Sequence, residues 1–327
     1  MIKFGRFIAK HRVLVLVIAL LLLVPSVLGY AATRVNYDIL TYLPDNIDTM
    51  VGQEILQDEF GKGAYSMVVV QGMDDKDVAK MREEFTKVDG VADVLWYDSI
   101  ASLSVPKEIL PDDLLDKFNT DDSTMMLVFF KGGTSSDETL EALSQLKQIA
   151  GKRALIGGMT ATISDTRDLT EQEEPIYVLI AVLLSCVVLA ITMDSLMLPL
   201  LFIASIGMAI LYNLGTNVFA GEISYITMAL AAVLQLGVTM DYSIFLWHSF
   251  SENLQYYDTK EEAMAHAIAA TFSSVLGSSM TTVAGFIALC FMSFTLGLDL
   301  GIVMAKGVVF GVISCVTILP SLILIFY

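Results

Sequence analysis

Positive charge is scarce in this sequence. Only 19 of its 327 residues are Lys or Arg, against 36 Asp and Glu, and the formal net charge is −17. Because such a chain repels nucleic acid and anionic headgroups, a DNA-binding protein or a polybasic protein of the membrane surface is excluded. Only 17% of the residues are charged, whereas 55% are hydrophobic and the mean hydropathy is +0.67. This composition predicts a membrane protein.

Cysteine and histidine are scarce as well. The three cysteines, Cys186, Cys290 and Cys315, fall in apolar runs, so we expect no disulfide framework and interpret them as small apolar fillers. Three histidines without a Cys/His cluster leave little from which to build a zinc or haem site. The sequence has no Walker A loop, G-x-S-x-G or H-E-x-x-H motif. We therefore expect no enzyme activity, no metal and no cofactor.

The few charges are unevenly placed. Residues 33–174 hold 28 of the acids and 13 of the bases, and no Lys or Arg occurs between Arg167 and Lys260. This distribution predicts two regions, one that faces water and one that faces lipid. We predict three parts: a basic N-terminus with a first membrane helix at 1–32, an extracytoplasmic domain at 33–174, and further membrane helices at 175–327.

Six apolar runs are long enough to cross about 30 Å of hydrocarbon. They lie at about 13–32, 175–193, 196–220, 223–250, 266–294 and 300–325. The first is longer than the apolar core of a signal peptide and lacks a convincing cleavage site, so we interpret it as a retained anchor. Lys3, Arg6, Lys10 and Arg12 precede it and place the N-terminus in the cytoplasm. Counting spans, residues 33–174 then lie outside and the C-terminus inside.

The order strand, helix, strand occurs twice in the polar region. The predicted elements are a strand at Tyr65–Gly72, a helix at Asp74–Val88, a strand at Val91–Asp98, a strand at Thr124–Lys131, a helix at Ser136–Ala150 and a strand at Arg153–Gly158. An acidic insert at about 100–122 separates the two units. Their succession predicts an α+β, ferredoxin-like domain with an antiparallel sheet backed by two helices. A polar helix at 160–174 then runs into the second span at Pro175.

Asp241 is the strongest functional signal, because it lies near the middle of the fourth apolar run. A carboxylate there costs several kcal/mol unless it is paired, hydrated or protonated. Desolvation favours the neutral acid, so the residue is suited to take a proton from one side and release it to the other. A fixed carboxylate that only hydrogen-bonds neighbouring helices is the simpler alternative.

Small and polar residues surround this position in the sequence. Tyr242 follows directly and is placed either in a proton relay or at a helix interface. Gly237 lies one turn before Asp241, and small residues let helices approach closely. The predicted seam continues with Ser274, Ser278, Thr281 and Gly285 in the fifth span and the G-x-x-x-G pair Gly307 and Gly311 in the sixth. The seam is either plain helix packing or a water-lined proton path.

Lys306 is a second charge within an apolar run. Its backbone and that of Asp241 are expected to differ by only about 8 Å in depth, so an ion pair between them is feasible if their helices are neighbours. Alternatively, because a side chain tilts toward its helix's N-terminus, Lys306 extends toward water or Asp299. Both readings stay open from the sequence.

These features resemble one half of a resistance-nodulation-division (RND) transporter of the MMPL type. The order of one span, an outer α/β domain and five spans is similar, and the fourth span carries Gly237-Val238-Thr239-Met240-Asp241-Tyr242-Ser243-Ile244-Phe245-Leu246. The fifth-span stretch 278–286 and the sixth-span ending Thr317-Ile318-Leu319-Pro320 are similar as well. The resemblance covers essentially the whole chain.

The resemblance implies an exporter of lipids or other amphiphiles that is driven by the proton gradient. Asp241 and Tyr242 then occupy the family's proton-relay positions, and the outer domain is a porter domain. Spans two to six also resemble the sterol-sensing arrangement of Patched-like proteins. Membrane lipids, a hydrophobic substrate and a second RND half are the expected partners, with no nucleic acid.

Two features depart from the family's usual pattern. Such transporters have twelve spans in two halves, whereas this sequence ends at Tyr327 within an apolar run. We expect it to be part of a longer chain, with a natural half that pairs with itself or a second subunit as the alternative. Lys306 is also unexpected at its position, which leaves open whether coupling uses an Asp–Tyr or an Asp–Lys pair.

Two other functions fit the same features. One is an accessory factor of protein translocation, like the Sec accessory subunits of the superfamily, whose outer domains hold emerging polypeptide. The other is a lipid- or sterol-sensing domain without transport. The substrate is not specified by the sequence.

Overall fold

The computed structural model describes residues 1–59, 63–99, 118–120, 122–193, 195 and 197–327. The chain divides into two compact units, one of residues 1–36 with 170–327 and one of residues 37–169. Most of the acidic insert predicted at about 100–122 lies outside the described residues. We call the two parts the membrane unit and the sheet unit.

Among the residues that the structure describes, six helices are long and apolar enough to cross a membrane, as the sequence predicts. They are span 1 (Arg12–Ala32), span 2 (Met159–Thr192), span 3 (Met197–Gly215), span 4 (Tyr225–Asn253), span 5 (Lys260–Leu289) and span 6 (Leu296–Phe326). A 3-10 turn, Thr216–Ala220, extends span 3. The polar helix expected before Pro175 is continuous with span 2, so that prediction is confirmed.

Span 6 is the centre of the membrane unit. It packs against spans 1, 3, 4 and 5, and 72% of its most apolar stretch is buried. Spans 1 and 2 have only 6% of theirs buried, so their side chains face mainly outward from the unit. Because lipid is as apolar as these side chains, close packing and not hydrophobic burial must hold such helices together.

A helix of nine residues, Ile2–Lys10, precedes span 1 and was not foreseen from the sequence. His11 separates the two helices. Gly5 is buried against span 5, where an added Cβ would lie 2.5 Å from the carbonyl oxygen of Ala265. The N-terminal bases therefore lie on a helix that packs on the bundle.

Two short strands also join distant parts of the membrane unit. Arg34–Asn36 pairs in parallel with Glu222–Ser224, and Asn36 Nδ2 donates to Glu222 Oε1 at 3.2 Å. The pairing holds the chain that leaves span 1 beside the connection between spans 3 and 4. Runs of three residues carry too little periodicity to be predicted from the sequence.

The sheet unit contains the two predicted β-α-β units. Its strands β1 (Ala64–Gln71), β2 (Val91–Leu95), β3 (Ser123–Phe130) and β4 (Ala154–Gly157) lie in the order β2-β3-β1-β4, and every pair is antiparallel. A two-residue strand, Asn119–Thr120, pairs with β3. The antiparallel sheet expected from the sequence is therefore present.

Two helices, Asp75–Thr86 and Asp137–Ala150, contribute apolar side chains to the core of the sheet unit. Side chains of β3 alternate between buried and partly buried, as expected for a sheet with one covered face. Trp96 is fully buried and its Nε1 donates to Thr124 Oγ1 at 2.7 Å. Burial of the indole thus leaves no unpaired donor.

Gly215 provides a test of the contact between spans 1 and 3. A Cβ on Gly215 would lie 2.2 Å from the carbonyl oxygen of Ser26, which is backbone and cannot move aside. Gly215→Ala is expected to lower the free energy of unfolding by about 1–3 kcal/mol through overpacking. Denaturant titration of the detergent-solubilised protein measures this change.

Gly207→Ala is the matched control in the same helix, because a Cβ there meets nothing within 4 Å. It should leave stability unchanged or raise it slightly through better helix propensity. Equal effects of the two substitutions would contradict the close approach of spans 1 and 3.

Candidate functional site

Asp241 lies in the middle of span 4, as predicted, but its side chain faces out of the bundle. It is exposed at the surface of the chain. Within the described parts of the chain, no hydrogen bond or ion pair engages its carboxylate. The structure thus leaves a mid-membrane carboxylate open on the protein's surface.

The exposed side of span 4 forms a stripe along the helix. Leu230, Leu234, Gly237, Asp241 and Phe245 recur every three or four residues, and all five are exposed. This spacing places them on one helical face. Asp241 is the charged residue of an otherwise apolar or small surface.

Span 5, which packs against span 4, carries the small polar residues of the predicted seam. Ser274, Ser278, Thr281 and Gly285 are all exposed. Thr281 Oγ1 donates to the carbonyl oxygen of Gly277 at 3.2 Å, so its polar atom is satisfied within its own helix.

An added Cβ would meet nothing within 4 Å at either Gly237 or Gly285. The seam is therefore not closed by packing within the described chain. We define the open face as Gly237 and Asp241 of span 4 together with Ser274, Ser278, Thr281 and Gly285 of span 5.

Tyr242 has the opposite environment from Asp241. Its side chain is only 4% exposed and packs in the apolar core of the membrane unit. Its carbonyl oxygen accepts a hydrogen bond from Cys315 Sγ of span 6 at 3.3 Å. Since neighbouring residues of a helix lie about 100° apart, the two relay candidates face different surroundings.

Lys306 is not brought to Asp241. Its Nζ donates to Asn217 Oδ1 at 2.5 Å, and the charge that acts on it is Asp299, two turns earlier in span 6. Asp299 accepts hydrogen bonds from the Ser224 amide at 2.8 Å and from Thr227 Oγ1 at 2.6 Å. The geometry matches the alternative in which Lys306 extends toward Asp299.

The G-x-x-x-G pair of span 6 is buried and separate from the open face. A Cβ on Gly307 would lie 2.7 Å from Asn213 Nδ2, and one on Gly311 would lie 2.2 Å from Thr239 Cγ2. These two glycines therefore admit side chains of spans 3 and 4 to the surface of span 6. They act in packing inside the unit.

Sequence reasoning missed a cluster of buried amides beside Lys306. Asn213 Nδ2 donates to Gln235 Oε1 at 3.0 Å, and Asn213, Asn217 and Gln235 are at most 3% exposed. Amides within apolar runs are costly in lipid, and that cost was the signal available in the sequence. Asn217 accepts from the ammonium of Lys306, and Asn213 and Gln235 lie against the neighbouring Gly307.

Comparison with known proteins places these residues in a family context. The MMPL family profile matches residues 41–326. The membrane protein YdfJ of Bacillus subtilis is 24% identical over 97% of this chain and 44% of its own length. The apo-petrobactin exporter of Bacillus anthracis is 22% identical over 98% of this chain and 47% of its own.

A transport protein of Mycobacterium tuberculosis, MmpL12, is 21% identical over 98% of this chain and 29% of its own length. The chain thus spans less than half of these relatives. The crystal structure of SecDF from Thermus thermophilus has a TM-score of 0.51 at 15% identity and covers 99% of this chain and 38% of that chain. This likeness is one of fold.

A double-mutant cycle tests where the charge of Lys306 is balanced. Lys306→Met and Asp299→Asn should show a coupling energy of about 1 kcal/mol or more in unfolding experiments, because each residue compensates the other's charge. Lys306→Met and Asp241→Asn should add to within about 0.5 kcal/mol. Coupling to Asp241 without coupling to Asp299 would contradict the placement of Lys306 on Asn217 and toward Asp299.

Proposed function

Because the chain belongs to the MMPL family, we propose that this membrane transporter uses the proton gradient to export lipids or other hydrophobic and amphiphilic molecules. The observation that carries the proposal is the carboxylate of Asp241 on the open face, in the middle of span 4. The names of an apo-petrobactin exporter and a transport protein among its relatives support export.

The open face supports the presence of a second half. A carboxylate directed into hydrocarbon costs several kcal/mol, so the working protein must cover Asp241 with polar or small residues of another helix bundle. Gly237 and the small residues of span 5 leave room for close approach. The second half is either the rest of a longer chain or another subunit.

Protonation of Asp241 would then be the coupling step. When the second half covers the carboxylate, desolvation favours the protonated acid, and when water reaches it, the proton leaves. One proton that crosses the membrane supplies about 2.3 kcal/mol per 100 mV. Tyr242 would act from inside the bundle, by holding span 4 against Cys315 of span 6.

The orientation that we propose places the N-terminus in the cytoplasm. The four bases before span 1 favour that side. The sheet unit then lies outside as a ferredoxin-like porter domain, which its antiparallel strand order supports. A lipid would enter sideways from the bilayer and avoid the acidic surface of that domain.

The fold likeness to SecDF, titled a translocon-associated membrane protein, favours a second candidate function. In that case the sheet unit would hold a polypeptide and the same carboxylate would drive its movement. A defect in protein secretion with unchanged lipid export, on removal of this protein, would select this candidate.

Asp241→Asn tests the proposed coupling. In proteoliposomes that contain the complete transporter, this isosteric change should abolish export of a fluorescent phospholipid under an imposed pH gradient, because the amide cannot take up the proton. Protein yield and unfolding temperature should stay close to those of the unmodified transporter.

Asp258→Asn is the matched control, since Asp258 is an exposed acid in the connection between spans 4 and 5. It should transport normally. Gradient-driven export that persists in Asp241→Asn would remove the proton-coupling role.

A further inference from the structure

A cleft lies where the N-terminal helix meets span 1 and the start of span 5. Its volume is about 910 Å³. Arg6, Lys10 and Arg12 line one part of it, together with Glu261 and Glu262 of span 5. Because span 1 and span 5 both begin here, the cleft lies at the level where a bilayer's headgroups meet its hydrocarbon.

Two of the bases at the cleft are neutralised by ion pairs. Arg6 Nη2 contacts Glu262 Oε1 at 2.5 Å, and Arg12 Nη1 contacts Glu261 Oε1 at 2.6 Å. The hydrogen bond that Arg6 donates to the carboxylate of Glu262 raises the pKa of Arg6 above its ordinary value. These pairs hold the N-terminal helix and the start of span 1 against span 5.

Lys10 is left with its charge uncompensated. It is exposed, as is Lys3, which lies two turns earlier on the same face of the helix. Neither makes a hydrogen bond or ion pair with the residues that the structure describes. Residues 1–12 contain no acid. Although the whole chain is strongly acidic, this corner of the membrane unit therefore carries unpaired positive charge.

The rest of the cleft is apolar. Val13, Leu14 and Val17 of span 1 line it, and all three are exposed. On the N-terminal helix, Phe4 is 40% and Phe7 is 54% exposed. Phe7 lies one turn from both Lys3 and Lys10 on this helix. Exposed aromatic residues beside bases are typical of a helix at the membrane interface.

From this arrangement we propose that the cleft binds an anionic phospholipid. The phosphate-bearing headgroup contacts Lys10, and an acyl chain lies along Val13, Leu14 and Val17. Lys3, outside the cleft but on the same helical face as Lys10, adds positive charge that attracts the headgroup. Free phosphate would use only the lysines, whereas a phospholipid also fills the apolar part of the cleft. A zwitterionic lipid gains less from the lysines, since its own cation offsets its phosphate.

Binding to this cleft is independent of proton coupling. It requires only that the spans cross a bilayer with residues 1–12 at one surface. Loss of transport in an Asp241 variant would therefore leave lipid binding to the cleft unaffected. Loss of lipid binding in a variant of the cleft would likewise leave proton coupling unaffected.

The test measures lipid binding to the whole detergent-solubilised protein. Dioctanoyl phosphatidylglycerol is titrated while the unfolding temperature is followed, with dioctanoyl phosphatidylcholine and inorganic phosphate as separate titrations, and native mass spectrometry counts the bound lipids. Phosphatidylglycerol should raise the unfolding temperature at saturation. Phosphatidylcholine should need a higher concentration, and phosphate should have no effect.

Two double variants distinguish lipid binding at the cleft from a general effect of the protein's positive charge. Lys3→Ala with Lys10→Ala should weaken phosphatidylglycerol binding by about tenfold or more, since each base near an anionic surface contributes roughly a kcal/mol. Lys80→Ala with Lys152→Ala, which removes two exposed lysines of the sheet unit, should bind as the unmodified protein does.

Leu14→Gln, which places an amide in the apolar part of the cleft, should also weaken lipid binding. Unchanged phosphatidylglycerol affinity in the Lys3 and Lys10 double variant would overturn the site. Equal binding of phosphatidylcholine, or an equal effect of phosphate, would overturn its assignment to an anionic lipid.

Discussion

The cost of a carboxylate in hydrocarbon is the constraint on which this account depends. Asp241 lies where water is scarce, and nothing in the described chain pairs with it. A membrane protein retains such a residue only if another surface covers it or if its proton exchanges. The first condition is met if the small residues on spans 4 and 5 are the contact surface for a second helix bundle.

The polar side chains inside the membrane unit bond to one another and not to that surface. Lys306 is held by Asn217, and Asp299 is held by Ser224 and Thr227. These contacts join the starts of spans 4 and 6 to the end of span 3. The interior charges therefore contribute to the packing of one bundle, while the carboxylate of Asp241 lies exposed on the surface of the described chain.

Much of the fold could be predicted from the sequence, because long apolar runs and alternating strands leave strong periodic signals. All six spans and the four main strands were found in this way. The nine-residue N-terminal helix and the strand pair at Arg34–Asn36 and Glu222–Ser224 were not, since short elements depend on tertiary contacts. The direction in which Lys306 extends could not be predicted either, because the position of a residue along the helix axis does not determine which neighbouring helix its side chain faces.

The candidate site, like the fold, could be predicted from the sequence only in part. The types and spacing of Asp241, Gly237 and the small residues of span 5 identify them as a seam, but spacing alone leaves open whether the seam is packed or lines a water path. The structure separates the buried pair Gly307 and Gly311 from the residues that lie open. Which face of a helix is covered depends on its neighbours, and a single sequence does not contain those contacts.

Infrared difference spectroscopy of the complete transporter, as a proton gradient is imposed and collapsed, reports the protonation of Asp241. We predict a protonated-carboxyl band that appears and disappears with the gradient and is missing in Asp241→Asn. A carboxylate at position 241 that stays ionised in both conditions would contradict it.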